Sequence, residues 1–430
     1  MNYEETLAYL YSSLPMFSRV GSAAYRKDLT NTIALSAALG DPHKKLRCIH
    51  VAGTNGKGST SHMLAAVLIQ AGYKTGLYTS PHLFDFRERI SINGELISKE
   101  FVVEFTQRIM RVAEEIKPSF FEITVAMAFD YFTKNGVEYA VIEVGLGGKL
   151  DSTNIITPVI SVITNIGWDH MNILGDTLAK IAAEKAGIIK DHVPVVIGER
   201  QKETDEVFIS TANLKHSPLF FASDNFKVTD YHLGLTHIRF TIQRVHNAQM
   251  RDYTLDLPGL YQRKNLITVL QTLEVLNIEF EDDSIVHNAL QVTKMLTGLH
   301  GRWEVISEKP TIILEVAHNR EGVREMLEHL SHLPYGKLHF VMGMVNDKDP
   351  APVLEQLPAT ASYYFTKAQI PRALDENELK SKAEQFGLEG LAFAEVNEAI
   401  NAARKAAGSN DVIVVCGSIF LVAEVEKFRH

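Results

Sequence analysis

The chain has 430 residues, of which 46% are hydrophobic and 22% are charged. This composition is typical of a folded globular protein with room for two or three domains, and it argues against a disordered or fibrous chain. The formal net charge of -9 offers no basic surface for wrapping nucleic acid or for lying on an anionic membrane. We therefore expect small molecules as partners, with no nucleic acid and no membrane among them.

The cysteine content and the N-terminus bear on location. The two cysteines, Cys48 and Cys416, each lie in an apolar run that leads into a glycine turn. Two are too few for a disulfide scaffold or a zinc cluster and suit a reducing cytoplasm. The first residues, which include Glu4 and Glu5, lack the basic start and long apolar core of a signal peptide. We expect a cytoplasmic protein, and a monomer because no heptad pattern or long apolar helix face stands out.

From about Leu46 the sequence alternates short apolar runs with longer helical patterns. The runs predicted as strands are LRCIHVAG, TGLYTS, VEYAVIEVG, VISVITNIG and VPVVIG. This rhythm is typical of parallel strands joined by crossover helices, and it predicts an α/β domain with a mostly parallel sheet. The segment from about Leu219 to Leu257 instead consists of strand-like runs and predicts a small antiparallel side sheet.

The α/β pattern restarts after the segment LTGLHGR. The strands predicted there are TIILEVA, KLHFVMGM, SYYFTKA and DVIVVCG, with helical patterns between and after them. They predict a second, smaller α/β domain. We place the boundary near residue 298, which divides the chain into domains 1–297 and 298–430.

Residues 51–60 read VAGTNGKGST, directly after a predicted buried strand and directly before a helical pattern. This context predicts a loop whose N–H groups face phosphate oxygens, at the positive end of a helix that starts near Ser59. Lys57 would bridge the terminal phosphates of ATP, and Ser59 would offer its hydroxyl to Mg²⁺. A glycine-rich turn with a solvated lysine is the alternative interpretation. The predicted nucleotide contacts in this loop are Gly53, Thr54, Asn55, Gly56, Lys57, Gly58, Ser59 and Thr60.

Three polar residues follow or flank later strands of the same domain. Glu143 closes the apolar run AVIEV, where a magnesium ligand would be needed, although a surface glutamate at a strand end is also common. His170 lies beyond the next strand, and a lone histidine is more often structural than catalytic. Lys185 lies in the amphipathic pattern IAAEKAGIIK, which by itself predicts a solvated lysine.

Several motifs follow one another along the chain. They are GTNGKGS at 53–59, TSPHLFDFRERI at 79–90, VIEVGLGGKLDSTN at 141–154, DH at 169–170, EKAGIIK at 184–190, AHN at 317–319, NDKD at 346–349 and CGSIFL at 416–421. Together they closely resemble folylpolyglutamate synthase and its relative dihydrofolate synthase, in the Mur ligase superfamily. The resemblance covers nearly the whole chain. It implies that 1–297 is the ATP-binding domain and that 298–430 binds glutamate.

The resemblance implies an ATP-dependent ligase that adds L-glutamate to a folate, with dihydropteroate as a second acceptor to consider. The γ-phosphate passes to the free carboxylate of the folate and forms an acyl phosphate, which the amine of glutamate then attacks. Phosphorylation serves a purpose, because an unactivated carboxylate is a poor electrophile. Catalysis then consists mainly of positioning and of charge neutralisation by Lys57 and metal ions.

The resemblance also implies roles for single residues. Ser59 and Glu143 would hold magnesium on the nucleotide phosphates, and His170 with a carbamylated Lys185 would form a second metal site. The residues implied for the folate side are Ser80, Pro81, His82, Phe121, Glu122 and Thr124. Those implied for the nucleotide are Asn265, Arg302 and Glu315, while His318 and Ser418 would receive glutamate.

One motif departs from the family, which usually has Asp-Gly-Ala-His-Asn where this chain has Glu-Val-Ala-His-Asn at 315–319. The longer Glu315 and the loss of a glycine at Val316 put the local backbone and the nucleotide contact in question. A Mur-type peptidoglycan amino-acid ligase is the first alternative, although only 52 residues precede Gly53, too few for its UDP-binding domain. A P-loop phosphotransferase is the second, although it would not require a second α/β domain.

Overall fold

The computed structural model describes residues 1–12, 14–16, 28–278, 282 and 284–426. Over these residues the chain forms two compact units. The first unit comprises residues 1–231, 239–256 and 263–299, and the second comprises residues 232–238, 257–262 and 300–430. None of the helices within the described ranges is long and apolar enough to cross a membrane.

The first unit is built on an eight-stranded sheet. Its strands are β1 (Cys48–Ala52), β2 (Thr75–Tyr78), β3 (Ile90–Ile92), β4 (Glu95–Leu96), β5 (Tyr139–Glu143), β6 (Ile160–Ile163), β7 (Val195–Ile197) and β8 (Leu219–Phe221). Their order is β4-β3-β2-β5-β1-β6-β7-β8. The strands from β2 through β8 in this order pair in parallel, and only β3 and β4 pair antiparallel. The predicted mostly parallel sheet is confirmed.

Helices alternate with the strands of this sheet and follow them, as the parallel pairing requires. They are α1 (Tyr3–Ser12), α2 (Thr30–Ala38), α3 (Lys57–Gln70), α4 (Lys99–Ile116), α5 (Phe120–Lys134), α6 (Met171–Leu174), α7 (Leu178–Ala186), α8 (Asp205–Leu214), α9 (Ala222–Asn225), α10 (Gln262–Leu276), α11 (Ser284–Gln291) and α12 (Thr293–Thr297). Every residue of β1 and β5 is buried. These two neighbouring strands therefore form the rigid centre from which the glycine loops project.

A separate three-stranded sheet follows. It contains β9 (Phe226–Leu233), β10 (Ile238–Arg244) and β11 (Met250–Leu255), in the order β11-β10-β9. The links between successive strands are short turns, and only antiparallel neighbours can be joined in this way. The antiparallel side sheet predicted from about Leu219 to Leu257 is therefore confirmed for residues 226–255, but its predicted start is wrong, because Leu219–Phe221 forms the parallel edge strand β8 of the main sheet.

The second unit contains a six-stranded sheet. Its strands are β12 (Glu304–Glu308), β13 (Thr311–Leu314), β14 (Leu338–Met342), β15 (Ser362–Phe365), β16 (Gly390–Ala392) and β17 (Val412–Cys416), in the order β12-β13-β17-β14-β15-β16. All neighbours pair in parallel except β12 and β13. The pattern predicted neither β12, which carries a register shift between Val305 and Ser307, nor the short and partly exposed β16.

Helices of the second unit complete the α/β alternation. They are α13 (Arg320–Ser331), α14 (Ala351–Leu354), α15 (Glu376–Glu384), α16 (Val396–Ala406) and α17 (Ile419–Val422). Asn319 caps the first of them by accepting the backbone N–H of Gly322 at 2.9 Å. Because the parallel strands all end at one edge of the sheet, the loops after β13, β14, β15 and β17 emerge together there.

Candidate functional site

The glycine loop turns sharply from β1 into α3. Gly53 and Gly56 have φ angles of +150° and +83°, in the region that side chains disfavour. The helix begins at Lys57, two residues earlier than predicted, with Gly56 as its N-cap. A Cβ on Gly56 would lie 2.2 Å from Oδ1 of Asn265, so this predicted nucleotide residue rests directly on the loop. The sequence thus builds a helix N-terminus at the glycine loop, and such a terminus suits a phosphate.

Two lysines point at one carbonyl of this loop. Lys57 Nζ donates to the carbonyl of Gly53 at 3.1 Å and to that of Thr54 at 3.3 Å. Lys185 Nζ donates to the same Gly53 carbonyl at 2.8 Å, although it lies 132 residues further along the chain. The structure therefore brings together the two lysines to which the family resemblance assigns catalytic roles.

The burial of Lys185 corrects the interpretation of the bare pattern. That interpretation, a solvated lysine on an amphipathic helix, is wrong, because Lys185 is only 4% exposed and packs against the backbone at Gly148. Burial lowers the pKa of this lysine to about 7, and the charge of Lys57 adds to the effect. A large fraction of the amine is consequently neutral at physiological pH, when it is a nucleophile and not a cation.

A residue that the sequence analysis missed holds the loop from the β6 side. Asn165 accepts the N–H of Asn55 with Oδ1 at 3.0 Å, and its backbone carbonyl accepts the N–H of Thr54 at 3.0 Å. Its own amide donates to Glu199 at 3.0 Å, and Glu199 forms an ion pair with Lys264 at 3.0 Å. Its place directly after a strand of the parallel sheet is the signal that could have identified it.

Glu143 lies where its position at the end of β5 predicted. Val51 pairs with Glu143 across β1 and β5, so the carboxylate follows the same sheet edge as the glycine loop. The side chain is 5% exposed and accepts the N–H of Ser80 at 3.1 Å, which links it to the loop implied in folate binding. A buried carboxylate is retained at such a site when it has a cationic or hydrogen-bonding partner to face.

The donors present fit magnesium. Ser59 is buried within the first turn of α3, and the hydroxyl of the adjacent Thr60 is buried without a hydrogen-bond partner. Hydroxyl and carboxylate oxygens of this kind are the ligands that Mg²⁺ takes, with phosphate and water completing its shell. In the described part of the chain no cluster of three or more His, Cys, Asp or Glu side chains could hold a metal by itself.

The proposed second metal site is more open. His170 has φ +48°, a left-handed conformation, and precedes the short helix α6 as its N-cap. Its side chain is 24% exposed, and its Nε2 lies 3.8 Å from the carboxylate of Asp169. The charge of Asp169 also acts on Lys185. These three residues thus share one electrostatic neighbourhood, and the metal assignment of His170 and Lys185 stays a prediction.

The residues implied in folate binding surround the ends of β2 and β5. Ser80 is half-buried and Pro81 is exposed, while His82 accepts the Nε–H of Arg89 at Nδ1, at 2.8 Å. Burial lowers the pKa of His82 to about 3, and the charge of Arg89 reinforces this. His82 is therefore a neutral imidazole whose other nitrogen carries the hydrogen, so it offers a donor to a ligand.

The start of α5 forms a second part of this neighbourhood. Phe121 packs on Gly145, where a Cβ would lie 2.4 Å from the ring. Glu122 is 2% exposed and accepts the N–H of Ser119 at 2.6 Å in a capping box. The hydroxyl of Thr124 is bonded to the Phe121 carbonyl at 2.9 Å. Glu122 and Thr124 are thus engaged within the protein, and their predicted substrate contacts stay predictions.

In the second unit, the carboxylate of Glu315 is buried. It is 3% exposed and accepts the hydroxyl of Tyr261 at 2.8 Å and the N–H of Trp303 at 3.0 Å. Burial raises its pKa, while the positive charge of Arg302 opposes this rise. Val316 is not among the residues with positive φ, so this position does not require the glycine that the family usually has. The backbone concern raised by the departure is resolved.

His318 and Ser418 lie on turns that are joined by the backbone. The N–H of Gly417 donates to the carbonyl of Ala317 at 2.9 Å. His318 Nδ1 donates to the Val316 carbonyl at 3.0 Å, and Ser418 caps α17 by accepting the N–H of Phe420 at 3.2 Å. The two residues implied in glutamate binding therefore follow neighbouring strands, β13 and β17, at one sheet edge.

Two family models match this chain. The Mur ligase middle domain matches residues 51–273, and the Mur ligase, glutamate ligase domain matches residues 301–419. A folylpolyglutamate synthase of Lacticaseibacillus casei is 35% identical over an alignment of 442 residues, gaps included. The alignment covers 99% of this chain and 98% of the relative. A probable bifunctional folylpolyglutamate synthase/dihydropteroate synthase of Haloferax volcanii is 33% identical over 99% of this chain, which spans 50% of that longer relative.

Solved structures agree with these matches. The bifunctional folylpolyglutamate synthase/dihydrofolate synthase of Yersinia pestis, crystallised with AMPPNP and a manganese ion, superposes with a TM-score of 0.85 at 30% identity. The superposition covers 99% of this chain and 98% of that one. The chain is thus similar to these relatives over almost its entire length. Within that length lie the glycine loop with Lys57, the buried Lys185 and the second α/β unit. The chain belongs to the folylpolyglutamate synthase and dihydrofolate synthase family of Mur ligases.

Proposed function

We propose that this protein is an ATP- and magnesium-dependent ligase that joins L-glutamate to a folate. The observation that carries the proposal is the convergence of Lys57 and the buried Lys185 on the Gly53 carbonyl of a helix-capping glycine loop. Such a loop suits nucleotide phosphates, and family relatives named for folylpolyglutamate synthesis supply the acceptor and the amino acid. We assign ATP binding to domain 1–297 and glutamate binding to domain 298–430.

The reaction proceeds in two displacements. A carboxylate oxygen of the folate attacks the γ-phosphorus of ATP, ADP leaves, and an acyl phosphate forms. The amine nitrogen of glutamate then attacks the acyl carbon, the C–O bond to phosphate breaks, and the amine loses a proton as the amide forms. The loop N–H groups and Lys57 favour this course by stabilising charge on the transferring phosphoryl group.

Residues around the loop divide the remaining work. Ser59 and Glu143 provide oxygen ligands for magnesium, which neutralises phosphate charge when it is bound. Ser80, Pro81, His82 and Phe121 are assigned to the folate, and the neutral His82 is oriented by Arg89 as a hydrogen-bond donor. Asn265, Arg302 and Glu315 are assigned to nucleotide binding, and His318 and Ser418 to the incoming glutamate.

Lys185 is assigned a carbamate. Its neutral Nζ attacks the carbon of carbon dioxide, a C–N bond forms, and one proton is released, which leaves an anionic group in place of a cation. Burial favours this reaction because it lowers the pKa of the amine to about 7. Intact mass measurement in bicarbonate buffer should find one carbon dioxide added, and Lys185→Arg should abolish the addition. An unmodified wild-type chain at saturating bicarbonate and magnesium would contradict this assignment.

One experiment tests the proposed function directly. The purified protein is given ATP, magnesium and labelled glutamate, with dihydropteroate or a reduced folate offered in parallel, and the products are separated by mass. We expect ADP release that requires both glutamate and a pterin acceptor. ADP release without glutamate would indicate a phosphotransferase and would refute the ligase assignment. Cytoplasmic location and a monomeric state remain predictions, which cell fractionation and light scattering can check.

A further inference from the structure

The turn that carries Arg302 has an unusual backbone. Gly301 and Trp303, on either side of it, have φ angles of +71° and +50°. The left-handed conformation is unfavourable for a residue with a side chain, so the surroundings must hold Trp303 in it. Glu304 accepts the N–H of Gly301 at 2.8 Å, and the Trp303 indole stacks on His329 with ring centroids 3.7 Å apart. The position of Arg302 is therefore imposed by its neighbours.

The buried Glu315 joins this turn to Tyr261. One oxygen, Oε2, accepts the Tyr261 hydroxyl at 2.8 Å and the Trp303 N–H at 3.0 Å. Burial raises the pKa of Tyr261 well above its ordinary value of 10.0, so the hydroxyl keeps its proton and remains a donor. A hydrogen bond to a buried carboxylate is stronger than one between neutral groups. The Tyr261 hydroxyl therefore holds Oε2 of Glu315 in place, and this oxygen holds the N–H of Trp303, the residue after Arg302.

A second contact ties the same segment to the same turn. The N–H of Leu260 donates to Nδ1 of His329 at 3.2 Å. His329 is fully buried, and while the edge of its ring accepts this hydrogen bond, a face of the ring stacks against Trp303. Two successive residues, Leu260 and Tyr261, thus reach the Arg302 turn through different partners, and both partners meet at Trp303.

The glutamate that replaces the usual aspartate of the family is matched to this arrangement. Aspartate is shorter by one methylene, about 1.5 Å, while hydrogen bonds tolerate only a few tenths of an ångström around their preferred length. The carboxylate of an aspartate at 315 could not keep both the Tyr261 hydroxyl and the Trp303 N–H without backbone movement. The longer side chain and the tyrosine therefore act as a pair.

We propose that Tyr261 is a positioning residue for nucleotide binding, which acts through Glu315 on the turn that aims Arg302. The inference rests on the proposed function, in which Arg302 contacts the nucleotide phosphates. Glu315 then contributes by holding the turn, and Arg302 makes the contact. Neither Tyr261 nor His329 was identified by the sequence analysis.

A double-mutant cycle on the full-length protein tests the inference. Tyr261→Phe, Arg302→Ala and the double variant are titrated with a non-hydrolysable ATP analogue and magnesium, and Kd is compared with that of the wild type. Tyr261→Phe should weaken binding about tenfold, because one hydrogen bond to a carboxylate is lost. In the Arg302→Ala background the same change should alter Kd by less than about twofold, because no guanidinium remains to be positioned.

The matched control is Tyr363→Phe in the same unit. Tyr363 is 1% exposed, and its hydroxyl donates to the Pro358 carbonyl at 2.7 Å. Tyr363→Phe also loses one hydrogen bond of a buried tyrosine hydroxyl, but at a place away from Arg302. It should therefore leave the Kd for the ATP analogue unchanged. The inference is overturned if Tyr261→Phe weakens binding equally in both backgrounds, or no more than Tyr363→Phe does. Because Kd is measured without turnover, a failure of glutamate-dependent ADP release would reject the ligase assignment separately.

Discussion

Replacing Lys185 by methionine should stabilise the protein while it removes activity. The folded amine has a pKa of about 7, against an ordinary value of 10.5, because it is 4% exposed and close to Lys57. Each pH unit between the two pKa values corresponds to about 1.4 kcal/mol, so at pH 7 the burial of Lys185 costs roughly 4 kcal/mol. Methionine removes this cost and fills a similar volume.

Part of the gain is lost with the hydrogen bond to the Gly53 carbonyl. That bond of 2.8 Å contributes about 1 kcal/mol, and Lys57 still donates to the same oxygen in the variant. The net gain for Lys185→Met is therefore about 3 kcal/mol in the free energy of unfolding at pH 7. The buffer must lack carbon dioxide and divalent metal, so that the unmodified amine is the group compared.

The pH dependence gives the sharper measurement. The folded pKa lies below the unfolded one, so the unfolded wild type binds more protons between pH 7 and 10.5, and its stability rises with pH across that window. The net advantage of the methionine variant should be nearly complete below pH 7, should fall to about a third by pH 9, and should vanish near pH 10, where the remaining cost of burying the amine equals the lost hydrogen bond.

Urea unfolding at pH 7, 8 and 9 measures this difference. The control is Lys180→Met on the same helix α7, where the lysine side chain is 62% exposed and pairs with Asp176. That change should stay within about 0.5 kcal/mol at every pH. A Lys185→Met protein that is less stable than the wild type at pH 7, or whose advantage does not shrink toward pH 9, would refute the argument that burial depresses this pKa.

Three further predictions concern the glycine loop. Lys57→Ala should lower kcat by orders of magnitude and leave the circular dichroism spectrum unchanged. Turnover near that of the wild type would show that Lys57 does not stabilise the transferring phosphoryl group. Asn165→Ala should raise the KM for ATP about tenfold, because the N–H of Asn55 loses its acceptor; an unchanged KM would show that the loop holds its shape without it. Gly56→Ala should prevent nucleotide binding, because its φ of +83° and the 2.2 Å approach to Asn265 exclude a Cβ; calorimetric titration with ADP would reveal any retained affinity.

The elements of the fold were largely predictable, because alternating apolar runs and helical patterns encode parallel strands directly. Glu143 was placed at a strand end by the same pattern, and β5 indeed ends there. Asn165 was missed although it also follows a strand. Its role depends on β6 being the neighbour of β1, and the order of strands in a sheet is set by packing between distant segments.

Lys185 was the position where pattern and structure disagreed most. An amphipathic pattern counts lysine as polar and assigns it to the solvent face, yet here the helix turns this side chain toward a loop 132 residues away. Glu315 is a related case. Its buried state depends on Tyr261 and Trp303, and no local spacing indicates that these three residues share one oxygen. Family resemblance identified both positions because it carries tertiary information that local patterns lack.

The arrangement around Gly53 also explains why one lysine, and not the other, is suited to become an anion. Two ammonium groups on one carbonyl repel each other, so the pair is stabilised when one amine gives up its proton. Lys57 is half-buried and keeps access to solvent, whereas Lys185 is almost fully buried. Loss of the proton is therefore less unfavourable for Lys185 than for Lys57. Addition of carbon dioxide to Lys185 would turn this repulsion into an attraction for Lys57 and for a magnesium ion. The burial that makes an unmodified Lys185 unfavourable is thus the feature that would favour the proposed modification.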